Sequence, residues 1–106
     1  MKKIFLSIVL IAVVLEVIAD VLLKKWAINN KVVFIISGIA LYTAATFVWA
    51  YSLKFELLSK AITVFTILNL LLVVVAGVII FKENLSVTNK IGIILGLFAI
   101  ILLEQQ

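Results

Sequence analysis

Residues 4–23 read IFLSIVLIAVVLEVIADVLL. The run is apolar or hydroxylic from Ile4 to Leu15 and then carries Glu16 and Asp20. A bilayer core about 30 Å thick takes about 20 such residues at a rise of 1.5 Å each, so this segment reads as a membrane-spanning helix. Three more follow. Residues 32–53 carry no charge, residues 57–81 only Lys60 near the start, and residues 87–103 only Lys90. The connections are short: Lys24–Lys31, Lys54–Glu56 and Lys82–Ser86. Backbone polar groups in lipid must be satisfied within the segment, so continuous apolar runs form helices and not open sheet. A β-barrel would need alternating polarity, which these runs lack. Short loops make successive helices antiparallel neighbours. The chain therefore reads as an all-α membrane protein, a single four-helix transmembrane domain over residues 1–106.

Composition agrees. Apolar residues make up 67% of the chain, against about 45–50% in soluble domains. Charged residues are 13%, too few to cover the surface of so small a soluble fold. Without His or Cys there is no disulfide, no ordinary zinc site and no His-dependent catalytic centre, and no cofactor or metal is expected. The net charge of +4 comes from lysines scattered at segment ends, which is membrane-flanking charge and not a nucleic-acid footprint. Met1-Lys2-Lys3 before an apolar run also fits a secretory signal with Val17-Ile18-Ala19 at its cleavage site. Glu16 in the cleavage region argues for an uncleaved first helix. Lys2, Lys3, Lys54 and Lys60 share one side of the membrane, and Lys24, Lys25, Lys31, Lys82 and Lys90 the other. So even a balance gives the positive-inside rule little to act on. One weakly biased topology and insertion of copies both ways are equally compatible with it.

Glu16 lies about one turn from the bilayer centre, where a charge costs about 2.5–3.5 kcal/mol on insertion scales. A carboxylate placed there faces a protein interior or a watery cavity, and it can hold a proton or a cation but not comfortably both. Asp20 is one turn further on the same face. Lys24, again at i+4, offers it an ordinary helix ion pair, and that structural role is expected for Asp20. Ala12, one turn before Glu16, leaves space beside the carboxylate. In the second helix Tyr42, Thr46 and Trp49 share a face that suits an organic cation, although Trp49 with Tyr51 also fits an interfacial belt. In the third, Lys60, Thr63, Thr66 and Asn69 step along one side. The threonines can bond back to their own helix, and Asn69 can line a cavity or join two helices. Gly92 and Gly96, followed by Ala99, form a GxxxG surface suited to close helix contact, within one chain or between two.

The chain resembles the small multidrug resistance family of the drug/metabolite transporter superfamily. The resemblance spans the four-helix layout. It rests on Leu15-Glu16-Val17-Ile18-Ala19-Asp20-Val21-Leu22-Leu23-Lys24 and on Phe81-Lys82-Glu83-Asn84-Leu85-Ser86 leading to Ile91-Gly92. It implies an antiparallel, dual-topology homodimer in a bacterial-type inner (plasma) membrane. Both glutamates would share one pocket and the fourth helices would form much of the contact. Glu16 matches the central carboxylate and Tyr42 a pocket tyrosine. The third helix departs: Phe65 stands where cation exporters have a tryptophan, Ile62 where they have an aromatic, and Ile67-Leu68-Asn69 where they are glycine-rich. Losing those glycines makes a bend less accessible.

The expected function is a proton-coupled exporter of small cationic or amphipathic compounds, working by alternating access. Glu16 would bind proton or substrate, Tyr42, Trp49 and Phe65 would shape the pocket, and Thr46, Thr63 and Asn69 are weaker polar candidates. Its partners would be protons, the substrate, the bilayer and a second copy of the chain, with no nucleic acid. A flippase-type or accessory subunit for lipid-linked cargo is the alternative, and a non-transporting scaffold is a third reading. Enzyme activity is not expected, because no nucleophile–base pair can be read here.

Overall fold

A computed structural model describes residues 3–104. Met1 and Lys2, part of the charge balance above, lie outside the described residues. Four helices follow in order: α1 (Lys3–Asn29), α2 (Val32–Ser52), α3 (Leu58–Ile80) and α4 (Val87–Glu104). The first three are long and apolar enough to cross a bilayer, and α4 contributes a shorter apolar helix over Val87–Leu102.

Each boundary has a local cause. α1 runs on to Asn29, through residues expected to form a loop, because Lys24 and Lys25 end the apolar run without ending the helix: no Gly or Pro follows them. It stops at Asn30, whose left-handed backbone (φ 60°) suits asparagine, with its N–H bonded to the Trp26 carbonyl at 2.6 Å. The α1–α2 connection is thus only Asn30 and Lys31. At the end of α3 the Gly77 carbonyl accepts the N–H groups of both Phe81 (3.1 Å) and Glu83 (3.2 Å). Lys82 between them is left-handed (φ 54°), a conformation that costs a side-chain-bearing residue roughly 1–2 kcal/mol. α4 is started by Ser86, whose hydroxyl accepts the Asn89 N–H at 3.1 Å, a serine N-cap.

The helices lie side by side in the spatial order α2, α1, α3, α4. α1 packs most heavily on α2, less on α3, and α4 rests on α3 alone to any extent. The assembly is thin in one direction, 17 Å against 44 and 35 Å. Phe5 and Val9 of α1 meet Ala61 and Val64 of α3, with Trp49 and Phe65 packed on them. Further along, Val17 and Val21 face Val73 and Gly77 across a cavity. The facing residues are three or four apart and advance together along both helices, which makes α1 and α3 parallel neighbours in register. Outward-facing side chains include Ile36, Phe47, Ile79, Leu95 and Leu102, an apolar exterior that suits lipid and not water.

Candidate functional site

Glu16 stands at the middle of α1, partly buried, and among the described residues it takes part in no ion pair. Ala12, one turn before it, is fully buried and leaves no bulk beside the carboxylate. Asp20 shares the face of Glu16, but its partner is not the one expected. The Tyr42 hydroxyl of α2 donates to Asp20 Oδ1. The Asp20–Lys24 ion pair does not form, and the pair found among the described residues is Glu56–Lys60 at 3.9 Å. The reason is packing. The extended α1 lies along α2, its heaviest packing partner, which brings Tyr42 across to Asp20, whereas Lys24 is exposed and pairs with no carboxylate among the described residues.

That close packing depends on Gly38, one turn before Tyr42. A Cβ at Gly38 would lie 2.8 Å from Leu23 Cδ2 and 3.3 Å from the Ala19 carbonyl oxygen. Gly77 plays the matching part in α3: a Cβ there would overlap the Glu83 carboxylate. Neither glycine stood out in the sequence. The signal was present, since a lone glycine inside an apolar helix costs about 1 kcal/mol against alanine and usually has a packing reason.

The other residues divide into groups. Trp49 and Phe65 meet as a tilted pair, with ring centroids 4.6 Å apart and planes at 52°, packed against the buried apolar cluster. Tyr51, by contrast, is exposed, edge-on to Phe55 and beneath the Lys54 ammonium. The Thr46 hydroxyl donates to the Tyr42 carbonyl and the Thr63 hydroxyl to the Ser59 carbonyl, each at 2.8 Å, so both bond back to their own helices. Asn69 lies at the middle of α3, and its Oδ1 is buried without a hydrogen-bond partner. Gly92 is open, with nothing within 4 Å of a Cβ placed on it, and Gly96 makes ordinary contact with Ile67. The GxxxG surface is therefore only partly used within one chain, and Ala99 on the same helix is half-buried. Among the described residues no group of acidic side chains is arranged to hold a metal ion.

A cavity of about 170 Å³ opens between α1 and α3, one turn beyond Glu16. Its walls include Val17, Val21, Val73 and Phe81, with Asp20, Lys24 and Glu83 as its charged groups.

Comparison with known families finds the model described as Small Multidrug Resistance protein, matched over residues 4–96. That span takes in α1, α2, α3 and the first half of α4. No curated protein matches the chain.

Proposed function

The chain belongs to the small multidrug resistance family, a family of multi-pass plasma-membrane transporters of small compounds, and from that premise we propose that it exchanges protons for small cationic or amphipathic substrates as a homodimer. The observation that carries this reading is Glu16. A carboxylate at the middle of a membrane-spanning helix, paired with no cationic side chain among the described residues, needs a proton or a cationic ligand. Either occupant removes the charge, and each excludes the other. Exchange follows, because the site switches its open side at low cost only when the carboxylate is neutralised by one occupant or the other.

A second copy is part of the proposal for a physical reason. Four helices in an open row do not enclose Glu16, whereas two rows facing each other do. The unfilled Gly92 surface of α4 supplies a place for close helix contact, with Gly96 and Ala99 on the same helix. The even split of lysines between the two sides favours antiparallel pairing. Tyr42 acts in this scheme through Asp20, fixing the carboxylate one turn from Glu16. Trp49 and Phe65 form the apolar wall, and Asn69 is the polar group of α3 nearest mid-membrane. Thr46 and Thr63 contribute less, as their hydroxyls are already engaged.

The test is charge movement in proteoliposomes over a panel of organic cations, polyamines and guanidinyl compounds, with wild type and Glu16→Gln compared across pH. Currents are expected to require Glu16 and to shrink at low pH, where protons occupy the site. Transport by Glu16→Gln with an unchanged proton dependence would overturn the mechanism.

A further inference from the structure

The cavity between α1 and α3 is not the Glu16 site. Glu16 does not line it, and it lies one turn, about 6 Å, nearer the Asn30 end of α1. Three charged side chains border it: partly buried Asp20, and exposed Lys24 and Glu83. Among the described residues Lys24 pairs with neither carboxylate. Two carboxylates against one ammonium leave the cavity one positive charge short.

The Asp20 carboxylate is held by a hydrogen bond, and the backbone that carries Glu83 is fixed. Asp20 accepts the Tyr42 hydroxyl. The Glu83 N–H donates to the Gly77 carbonyl at 3.2 Å, and the Glu83 carboxylate occupies the space that a Cβ at Gly77 would take. The remaining wall is apolar, and Phe81 adds an aromatic ring, which attracts a cation to its face. Size narrows the occupant further. A cavity of about 150 Å³ accepts one benzene ring, and this one measures about 170 Å³.

We infer that this cavity is a second, outlying cation site, taking an ammonium ion that carries a single aromatic ring. The ring fills the apolar part and the ammonium lies between Asp20 and Glu83. The site lies between the α1–α2 and α3–α4 connections on one side and Glu16 on the other, where an entering or leaving substrate can pause. Its place in a transport path rests on the exchange mechanism proposed above, but its existence does not, because binding can be read without flux.

The experiment is calorimetric titration of benzylammonium into the purified protein in micelles, in a Glu16→Gln background whose helix content matches wild type. A saturable binding event is expected to remain. Adding Glu83→Gln should weaken it at least tenfold. Adding Lys24→Gln should strengthen it several-fold, a gain that damage to the fold cannot produce. Tetraphenylphosphonium, too large for the cavity, should not compete. In protein that keeps Glu16, Glu83→Gln should reduce a two-site isotherm to one. Loss of all binding in Glu16→Gln, or residual binding indifferent to Glu83 and Lys24, would overturn the site. Transport that ignores Glu16 would overturn the exchange mechanism instead, and would leave this isotherm unchanged.

Discussion

Replacing Gly38 with alanine tests the packing that brings Tyr42 to Asp20. The new methyl group would meet Leu23 Cδ2 at 2.8 Å and Leu23 Cγ at 2.9 Å, with the Ala19 carbonyl oxygen at 3.3 Å on the other side. A rotamer change at the tip of Leu23 does not relieve this, because Cγ is also too close. The backbone of α1 closes the remaining direction. Overpacking of this kind costs about 1–3 kcal/mol. Alanine returns about 0.8–1 kcal/mol over glycine through helix propensity. The net expectation is a loss of up to about 2 kcal/mol, and a wedge between α1 and α2 one turn from Tyr42. The assay is unfolding in mixed micelles followed by far-ultraviolet circular dichroism. Gly92→Ala is the control. It gains the same propensity, and nothing lies within 4 Å of its methyl group inside the chain. A Gly38→Ala protein stabilised as much as Gly92→Ala would refute the claimed close approach of α1 and α2.

Tyr42→Phe removes the donor to Asp20 and should lower stability by about 1.5–3 kcal/mol, the usual worth of a hydrogen bond to a charged group, read in the same unfolding assay. Lys82→Gly should raise stability by up to about 1 kcal/mol by relieving a left-handed backbone at the end of α3. Asn69→Leu removes a buried oxygen that has no partner in the chain and should stabilise the protein by about 1–3 kcal/mol in monomeric micelles; destabilisation would mean that the oxygen is satisfied after all.

The four helices were legible because lipid imposes one strong rule, an unbroken apolar run long enough to cross, and α2, α3 and α4 begin and end within a residue or so of those runs. The end of α1 was not. Polarity marks where a chain leaves the membrane, and only a glycine, a proline or a left-handed residue marks where a helix stops, here Asn30. Glu16 stood out through the cost of its placement. The partner of Asp20 was hidden because two candidates competed. Lys24 is near in sequence, while Tyr42 is 22 residues away and becomes near only when α1 and α2 pack. The cavity was hidden for a similar reason. It needs the parallel register of α1 and α3, and it needs Glu83 turned back over Gly77 by the left-handed Lys82.

The order of helices in space has a consequence for biosynthesis. α1 is synthesised before the other three helices yet ends in the interior of the row, between α2 and α3. Until α2 follows it into the bilayer, Asp20 has no hydroxyl to bond, and Glu16 has lipid or water on both flanks. In a nascent α1 both carboxylates carry the cost of an unpartnered polar group in lipid, and the Tyr42 hydroxyl offsets part of it for Asp20 once α2 is in place. The two-residue connection of Asn30 and Lys31 keeps that delay short, since α2 can follow only as an immediate hairpin partner. α4 is in the opposite position. It follows the other three, touches α3 alone to any extent, and can join after they have settled.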